Sequence, residues 1–299
     1  MTHSTLLDRI RSGRILVSDG AWGTQLQARG LPTGECPEQW CLDHPSVVRE
    51  IARTYAEAGA DLIKTNSFGG SRLKLAHYGL ADRAAQINEA AARLSREGAG
   101  PDRRVLGSIG PSGILLMMGE VTEEEMIDAF AEQASALERG GADTLCIETM
   151  SATDEAVLAI RAARAHTSCE VACTFTFERN NRGEYRTMMG LSPEDAARAA
   201  VDAGAHLTGT NCGNGMARMI EIVRLMRSAI GPHVPLLVHA NAGLPEIVNG
   251  AAVFPETPAA MASQVDALLE AGARIVGGCC GTGPAHISAL RAAVDARCP

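Results

Sequence analysis

Residues 271–282 read Ala-Gly-Ala-Arg-Ile-Val-Gly-Gly-Cys-Cys-Gly-Thr, and this stretch combines the two patterns that organise the chain. Its first half closes an amphipathic segment at a glycine and passes directly into a short apolar run. A helix that ends at glycine and leads into a buried strand produces this pattern, because glycine accepts the left-handed conformation of a helix C-cap. The same order recurs at 58–63, 140–145 and 203–207, which predicts a repeated helix–strand unit.

The repeated unit extends over the whole chain once apolar runs without the glycine are included. The candidate strands lie at 15–20, 61–66, 105–110, 144–149, 171–177, 207–212, 236–241 and 275–280. Helical segments separate them, at about 46–58, 82–97, 122–139, 153–165, 193–203, 216–229, 258–271 and 284–296. This alternation is typical of an α/β fold of the TIM-type (β/α)8 barrel, with a doubly wound open sheet as the alternative. No linker divides the chain, so we expect residues 1–299 to form a single domain, with a short helix near its start.

The composition argues against two large classes of partner. A net charge of -8 and a pI near 5.5 are unlike a nucleic-acid-binding surface, and an aromatic content of 3% disfavours base stacking. No stretch approaches the roughly 20 consecutive apolar residues of a membrane span. The 9 cysteines are scattered through a long chain, which is typical of free or metal-bound thiols. We therefore expect a cytoplasmic protein that binds neither nucleic acid nor membrane.

Polar or thiol side chains stand at the C-terminal ends of nearly all of the predicted strands. In a (β/α)8 barrel these ends meet at one face, where the loops carry the chemistry. One polar strand end is common, whereas a ring of them indicates a ligand site. The residues at these ends are Asp19, Gly20, Thr65, Asn66, Ser108, Glu148, Thr149, Asn211, Cys212, Asn241, Cys279 and Cys280.

Cys212, Cys279 and Cys280 are the strongest candidates for metal ligands. Neighbouring strand residues point to opposite faces, so two adjacent sulfurs reach one metal only where the strand ends and glycines let the chain turn. Sulfur ligands select zinc or copper(I), and three protein ligands leave one coordination position open for a substrate. A thiol in that position would bind as the nucleophilic thiolate, which suits alkyl transfer to sulfur.

Two other interpretations of these cysteines stay open from the residues alone. Free cysteines often pack as small hydrophobic residues, which is the role that we predict for Cys146, Cys169 and Cys173 within apolar runs. The adjacent pair is also compatible with redox chemistry, although it lacks the two-residue spacer of thioredoxin-like motifs.

A set of motifs that runs in order from about residue 12 to 295 resembles the homocysteine S-methyltransferase family. The motifs are Asp19-Gly20-Ala21-Trp22-Gly23-Thr24, Thr65-Asn66-Ser67-Phe68-Gly69, Gly110-Pro111-Ser112-Gly113, Glu148-Thr149, Asn211-Cys212, Asn241-Ala242-Gly243 and Gly277-Gly278-Cys279-Cys280-Gly281-Thr282. That family consists of zinc-dependent (β/α)8 barrels that methylate homocysteine to methionine. The resemblance therefore implies Zn²⁺ at the three cysteines and homocysteine as the methyl acceptor.

The resemblance also implies the substrate site. Asp19 and Glu148 match the family's carboxylates near the homocysteine ammonium, and both are acceptor-only groups when ionised. Gly20 and the turn from Ser108 to Gly110 are expected to offer backbone donors to the substrate carboxylate. Thr24 and Asn66 complete the implied substrate-binding set. Asn241 matches an asparagine whose amide oxygen occupies the zinc when the substrate is absent, as a weak ligand that a thiol displaces.

The methyl donor is less clearly defined, because branches of the family use different ones. A betaine donor is disfavoured, since a quaternary ammonium needs aromatic faces and the branch's aromatic positions fall near Cys36, Gly69 and Thr149 here. The segments 64–75 and 241–245 resemble the homocysteine-binding module of cobalamin-dependent methionine synthase. That likeness implies a methylated corrinoid on a separate protein, because the folate and cobalamin domains do not fit in 299 residues. S-methylmethionine or S-adenosylmethionine is the alternative donor, and a non-catalytic thiol- or zinc-binding subunit is the alternative function.

Three further features have local interpretations. Met117-Met118 and Met188-Met189 are predicted to pack in the core or in loops, with a soft donor pocket as the alternative. Asn249-Gly250 predicts a tight turn.

Overall fold

The sheet of this protein is a closed ring of parallel strands. The computed structural model describes residues 4–248 and 251–297. Its 8-stranded sheet consists of β1 (Leu16–Val17), β2 (Leu62–Lys64), β3 (Arg104–Ile109), β4 (Thr144–Met150), β5 (Glu170–Phe175), β6 (Leu207–Asn211), β7 (Leu236–Ala240) and β8 (Ala273–Gly278). Consecutive strands pair in parallel from β2 to β8, and β8 pairs with β1. A bridge between Ser18 and Leu62 links the end of β1 to β2 and closes the ring. The predicted (β/α)8 barrel is confirmed.

A helical segment follows each strand and packs outside the barrel. The large helices are α1 (Pro45–Glu57), α2 (Ala84–Ala99), α3 (Glu123–Arg139), α4 (Thr153–His166), α5 (Pro193–Asp202), α6 (Met216–Ile230), α7 (Pro258–Ala262 and Val265–Ala271) and α8 (Pro284–Arg297). Local signals fix several starts: Thr122 forms a capping box with Glu125, and Ser192 and Thr257 cap helices that open with proline. The sequence predicted α7 as one helix over 258–271, whereas the structure divides it around Ser263 and Gln264.

The N-terminal end of the barrel is closed by a short helix, which the sequence predicted. This helix (Leu6–Arg11) buries Leu6 and Ile10 against the apolar residues that fill the barrel's interior, including Leu16 and Leu237. Glu170, at the start of β5, accepts hydrogen bonds from the Leu6 and Leu7 backbone nitrogens at 2.8 and 2.9 Å. The opposite, C-terminal end of the barrel therefore remains for a ligand site.

The loops at the C-terminal end carry additional short elements. Helices Trp22–Gln27, Trp40–Asp43 and Arg72–Leu75 follow β1 and β2, and the hairpins Glu178–Arg179 with Tyr185–Arg186 and Glu246–Val248 with Ala251–Val253 follow β5 and β7. The turn predicted at Asn249-Gly250 lies outside the described residues. Within the described ranges, the structure has no helix with both the length and the apolar character that crossing a membrane requires.

Candidate active site

The three predicted metal ligands meet at the C-terminal end of the barrel. Cys212 directly follows β6, and Cys279 and Cys280 directly follow β8. Their sulfur atoms all lie within 4.8 Å of one another, and Cys212 Sγ is 3.8 Å from Cys280 Sγ. Among the described residues, they form the one group of three or more histidine, cysteine or acidic side chains arranged to hold a metal ion.

Backbone conformation and hydrogen bonds hold the thiols together. Cys212 adopts a left-handed backbone conformation with φ of 60°, which turns its side chain away from the course of β6. Its backbone nitrogen donates to His239 O at 3.0 Å, and Cys279 N donates to Ala240 O at 2.7 Å. Thr282 Oγ1 donates to the carbonyl oxygen of Cys279 at 2.7 Å, across the turn formed by Gly281 with φ of 79°. The loop after β8 therefore places two adjacent sulfurs on one side.

The donor set and its spacing fit a tetrahedral thiolate-binding metal. Zinc–sulfur bonds of about 2.3 Å in a tetrahedron imply sulfur–sulfur separations of roughly 3.8 Å, the separation of Cys212 and Cys280 here. The pKa of Cys279 is raised to about 12. The neighbouring Cys212 thiol and burial raise it, whereas the contact with Cys280 lowers it. A metal cation would therefore have to supply the charge that keeps these groups ionised near neutral pH.

Asn241 lies beside the cysteines but is engaged with the backbone. Its Oδ1 accepts a hydrogen bond of 3.1 Å from Cys280 N, and its own backbone nitrogen donates to Asn214 O at 2.9 Å. The side chain is buried. To act as a metal ligand, Oδ1 would have to use its second lone pair or exchange this hydrogen bond.

A cavity of about 380 Å³ opens beside the three sulfurs. This size is within the usual range for small-molecule sites. The cavity includes Thr24, Asn66, Ser108 and Glu148, four of the six residues that the sequence predicted for the substrate. Asp19 and Gly20 are buried behind this wall and do not line the cavity. The other charged residues of the lining are Glu38 and Lys64, neither of which was among the predicted site residues.

Lys64 lies between the two predicted carboxylates. Its Nζ is 4.0 Å from Asp19 Oδ1 and 3.9 Å from Glu148 Oε2. Asp19 Oδ2 accepts hydrogen bonds of 2.8 Å from both Trp22 Nε1 and Lys64 N, while its Oδ1 has no hydrogen-bond partner. Glu148 Oε1 accepts a short hydrogen bond from Ser108 Oγ. The wall of the cavity therefore presents a buried acid–base–acid arrangement rather than two free carboxylates.

The pKa values of Asp19 and Lys64 are both raised, although burial and mutual attraction act against each other in each group. Burial raises the pKa of Asp19 to about 6, although Lys64 and the Trp22 hydrogen bond oppose the shift. Burial alone would lower the pKa of Lys64, but the attraction of Glu148 and Asp19 outweighs it and holds that pKa well above its usual value. Lys64 is therefore a fixed cation in this wall near neutral pH.

The backbone donors predicted near Ser108 are already used within the protein. Ser108 N donates to Thr65 Oγ1 at 2.9 Å, and Gly110 N donates to Phe68 O at 2.8 Å. Asn66 is likewise partly engaged, since its Nδ2 donates to Pro37 O at 2.7 Å. These three groups support the loops after β2 and β3, which form one side of the cavity.

Thr149 and Asn211 form a second support that motif matching did not assign. Thr149 has φ of 63°, an uncommon backbone conformation for a β-branched residue. Asn211 Oδ1 accepts from Thr149 N at 2.8 Å and from Thr174 Oγ1 at 2.7 Å, and its Nδ2 donates to Thr149 Oγ1 at 2.7 Å. The amide of Asn211 thereby holds the end of β4 directly beside Cys212.

Exposed apolar side chains lie in the loops that surround the cavity's end of the barrel. The two methionine pairs are in loops as predicted, but they are exposed rather than packed, with Met117 at 76% and Met188 at 88%. The others follow β2, β3 and β7, namely Phe68, Tyr78, Leu115, Leu244, Ile247 and Val253. We call these side chains the apolar rim; exposed apolar groups that form a contiguous patch often mark interaction sites.

A family model described as Homocysteine S-methyltransferase matches residues 16–294 of the chain. The chain is 38% identical to a methionine synthase of Mycobacterium tuberculosis (strain ATCC 25618 / H37Rv), over 97% of the chain and 25% of that protein. A methionine synthase of Mycobacterium leprae (strain TN) is 36% identical, over 95% of the chain and 24% of that protein. The chain thus spans about a quarter of the length of these relatives.

Solved structures show the same fold. The metallated form of the homocysteine methyltransferase MmuM from Escherichia coli superposes with a TM-score of 0.78 at 24% identity, covering 95% of this chain and 97% of that one. The oxidized form of that protein gives a TM-score of 0.75 at 25% identity, covering 93% and 95%.

Proposed function

The chain belongs to the homocysteine S-methyltransferase family, and on that premise we propose that it transfers a methyl group to homocysteine at a zinc ion held by Cys212, Cys279 and Cys280. The observation that carries the proposal is the convergence of the three sulfurs beside a cavity whose other wall holds Lys64 and Glu148. The product of the reaction is methionine. In the transfer, the homocysteine sulfur forms a bond to the methyl carbon while the bond between that carbon and its donor breaks.

Cys212, Cys279 and Cys280 would hold the zinc, which when bound would supply a Lewis acid that favours the ionised form of a substrate thiol. The protein's own residues position the acceptor. Glu148 faces the cavity and suits the substrate ammonium, and Asp19 supports the same wall from behind Lys64. Asn241 is the proposed occupant of the fourth position when no thiol is bound, which would require its hydrogen bond to Cys280 N to change.

The remaining proposed substrate residues act at the sides of the cavity. Thr24 and Asn66 line it, and Ser108 orients Glu148 through its hydroxyl. Gly20 is needed for space, because a Cβ there would lie 2.8 Å from Thr282 Oγ1 and 3.0 Å from the Tyr55 ring. A side chain at Gly20 would therefore force the loop after β1 or these two side chains to move.

We propose a methylated corrinoid, carried on a separate protein, as the donor. The apolar rim supports this proposal, because a macromolecular donor needs a surface to dock on around the cavity. The likeness to methionine synthases supports it as well. Among the described residues, Trp22 and Phe68 are the aromatic side chains that line the cavity, which is too few for the cage that a betaine ammonium requires. The three thiols must stay reduced to bind a metal. The cytoplasm keeps thiols reduced, so we propose that the reaction takes place there.

The test of this proposal is methionine formation by the reduced, zinc-loaded protein. Homocysteine is supplied with methylcobalamin, S-methylmethionine, S-adenosylmethionine or betaine in parallel, and methionine is measured by mass spectrometry. We expect methionine formation with methylcobalamin and much less with the other three donors. If only S-methylmethionine or S-adenosylmethionine gave turnover, the methyl donor would be a sulfonium and not a methylated corrinoid. Homocysteine binding without methionine from any donor would instead favour a non-catalytic subunit.

A further inference from the structure

The carboxylate of a bound amino-acid thiol needs a partner that this cavity does not provide in the predicted place. The backbone nitrogens of Ser108 and Gly110 donate to Thr65 Oγ1 and Phe68 O. Gly20 lies behind the cavity wall, and the nitrogen of the following residue, Ala21, donates to Thr282. The backbone nitrogens of Ser108, Gly110 and Ala21 are therefore already engaged within the protein, which leaves fewer backbone donors beside Glu148 for an anion.

Lys64 is a cation with unused hydrogen-bonding capacity at this wall. It ends β2 and lines the cavity, yet the residue is only 6% exposed. Its distances of 4.0 and 3.9 Å from Asp19 Oδ1 and Glu148 Oε2 allow ion pairing but are too long for hydrogen bonds. Within the described residues, its ammonium makes no hydrogen bond, so its three N–H groups are available to a ligand.

The choice of lysine at this position is itself unusual for the chain. Lysine occupies two of the 27 basic positions, Lys64 and Lys74, and arginine occupies the rest. One of these two lysines stands at the end of a barrel strand, inside the cavity. Lysine presents a compact ammonium, whereas arginine presents a planar fork, so the two are not interchangeable at such a site.

We infer that Lys64 binds the α-carboxylate of the acceptor, so that the Lys64–Glu148 pair recognises the zwitterionic head of an amino-acid thiol; this inference rests on the proposed function. In an α-amino acid the ammonium nitrogen and the carboxyl carbon are about 2.5 Å apart. Lys64 Nζ and Glu148 Oε2 are 3.9 Å apart. A zwitterion lying antiparallel to this pair places its ammonium on Glu148 and its carboxylate on Lys64.

Asp19 completes the charge balance of this arrangement. It is buried, does not line the cavity, and places its Oδ1, which has no hydrogen-bond partner, 4.0 Å from the Lys64 ammonium. Asp19 thereby holds Lys64 in place without competing for the substrate. Acceptors that lack the carboxylate leave the Lys64 cation without a ligand, which makes Lys64 a specificity-determining residue.

The inference is tested by thiol binding to the zinc-loaded full chain, measured by isothermal titration calorimetry with a phosphine reductant. The three thiols are homocysteine, its decarboxylated analogue 3-aminopropane-1-thiol and its deaminated analogue 4-mercaptobutanoate. We expect wild type to prefer homocysteine over 3-aminopropane-1-thiol by roughly 10- to 100-fold, since one hydrogen bond between charged groups is at stake. In Lys64→Met that preference should fall below about three-fold, and binding of 4-mercaptobutanoate should weaken.

Lys74→Met is the matched control, because it removes the chain's other lysine from the loop helix Arg72–Leu75 and should keep the full preference. If Lys64→Met weakened all three thiols by the same factor, Lys64 would be only a structural counter-ion and the inference would be wrong. A wild-type protein without the carboxylate preference would also overturn it. The double variant Lys64→Met/Asp19→Asn, which removes one charge of each sign, replaces Lys64→Met if circular dichroism shows that the single variant is unfolded.

The outcomes separate this inference from the proposed reaction. Selective binding of homocysteine without methionine formation would refute methyl transfer and retain the role of Lys64. Methionine formation without a preference for thiols that carry the carboxylate would refute the role of Lys64 and retain methyl transfer.

Discussion

Cys212 Sγ and Cys280 Sγ lie 3.8 Å apart although 68 positions separate them along the chain. They belong to the ends of β6 and β8, and β7 lies between these strands in the sheet. The contact across β7 is made by the left-handed turn at Cys212 and by the glycine-containing turn after Cys280. Backbone geometry therefore holds these two thiols at a separation that two ligands of one tetrahedral metal ion would have.

Replacement of one thiol tests the metal site directly. Cys212→Ser should weaken zinc binding by more than about 100-fold, because loss of a ligand costs more than loss of the hydrogen bonds that orient one. The measurement is zinc content after dialysis, by atomic emission. Cys169→Ser is the matched control, since Cys169 is buried at a distance from the site and donates to Ala142 O. Equal zinc retention in both variants would contradict the assignment.

Asn211 should contribute to stability independently of the metal. Asn211→Ala removes an acceptor for Thr149 N and Thr174 Oγ1 and leaves Thr149 in its left-handed conformation without support. The free energy of unfolding should fall by about 3 kcal/mol, as buried polar groups lose their partners. Urea denaturation of the zinc-free protein gives this value. A loss below about 0.5 kcal/mol would show that the amide does not hold the end of β4.

Asp19 should produce a specific pH dependence of stability. Its pKa is raised from 3.8 to about 6 in the folded protein, so its contribution to stability is fully present below pH 3.8 and is lost as the pH rises through 6. Asp19→Asn keeps the shape of the side chain and removes the titration. The free energy of unfolding of wild type, relative to this variant, should therefore decrease between about pH 4 and pH 7. A difference that is constant or increases with pH would contradict the raised pKa.

Gly209 in β6 should not tolerate any side chain. A Cβ there would lie 1.8 Å from Leu237 O, a backbone atom of the neighbouring β7. Gly209→Ala should force β6 and β7 apart and lower the free energy of unfolding by more than about 3 kcal/mol. Gly23→Ala is the control, because it lies in a helix with open space around its Cβ and should leave stability unchanged or slightly increased. Similar unfolding midpoints for both variants would contradict the close approach.

The barrel was predictable because its signals are local. Apolar runs and glycine-ended amphipathic segments fix where strands and helices fall, and the boundaries of β4 and α3 agree with the predictions within a residue. The three cysteines were predictable for the same reason, since each directly follows such a run. Cys146, Cys169 and Cys173 are buried as predicted.

Other parts of the site depend on contacts that the sequence does not display. The position of Asp19 after β1 predicts a cavity residue, but in the structure Asp19 is buried beside Lys64, and it is Lys64 that lines the cavity. Lys64 carries a signal in the sequence, because lysine is rare here and this one follows an apolar run. The division of α7 and the hairpins after β5 and β7 depend on loop packing. The exposure of Met117 and Met188 likewise could not be read from their apolar character.

The most direct test of the account is the zinc dependence of methionine formation from homocysteine and methylcobalamin. The reduced protein is assayed as zinc-loaded wild type, as wild type after chelation, after zinc is added back, and as Cys279→Ser. We expect methionine formation by the zinc-loaded wild type, its loss after chelation and its recovery when zinc is added back. We expect no methionine formation by Cys279→Ser. Undiminished methionine formation by the metal-free protein, or by Cys279→Ser, would contradict it.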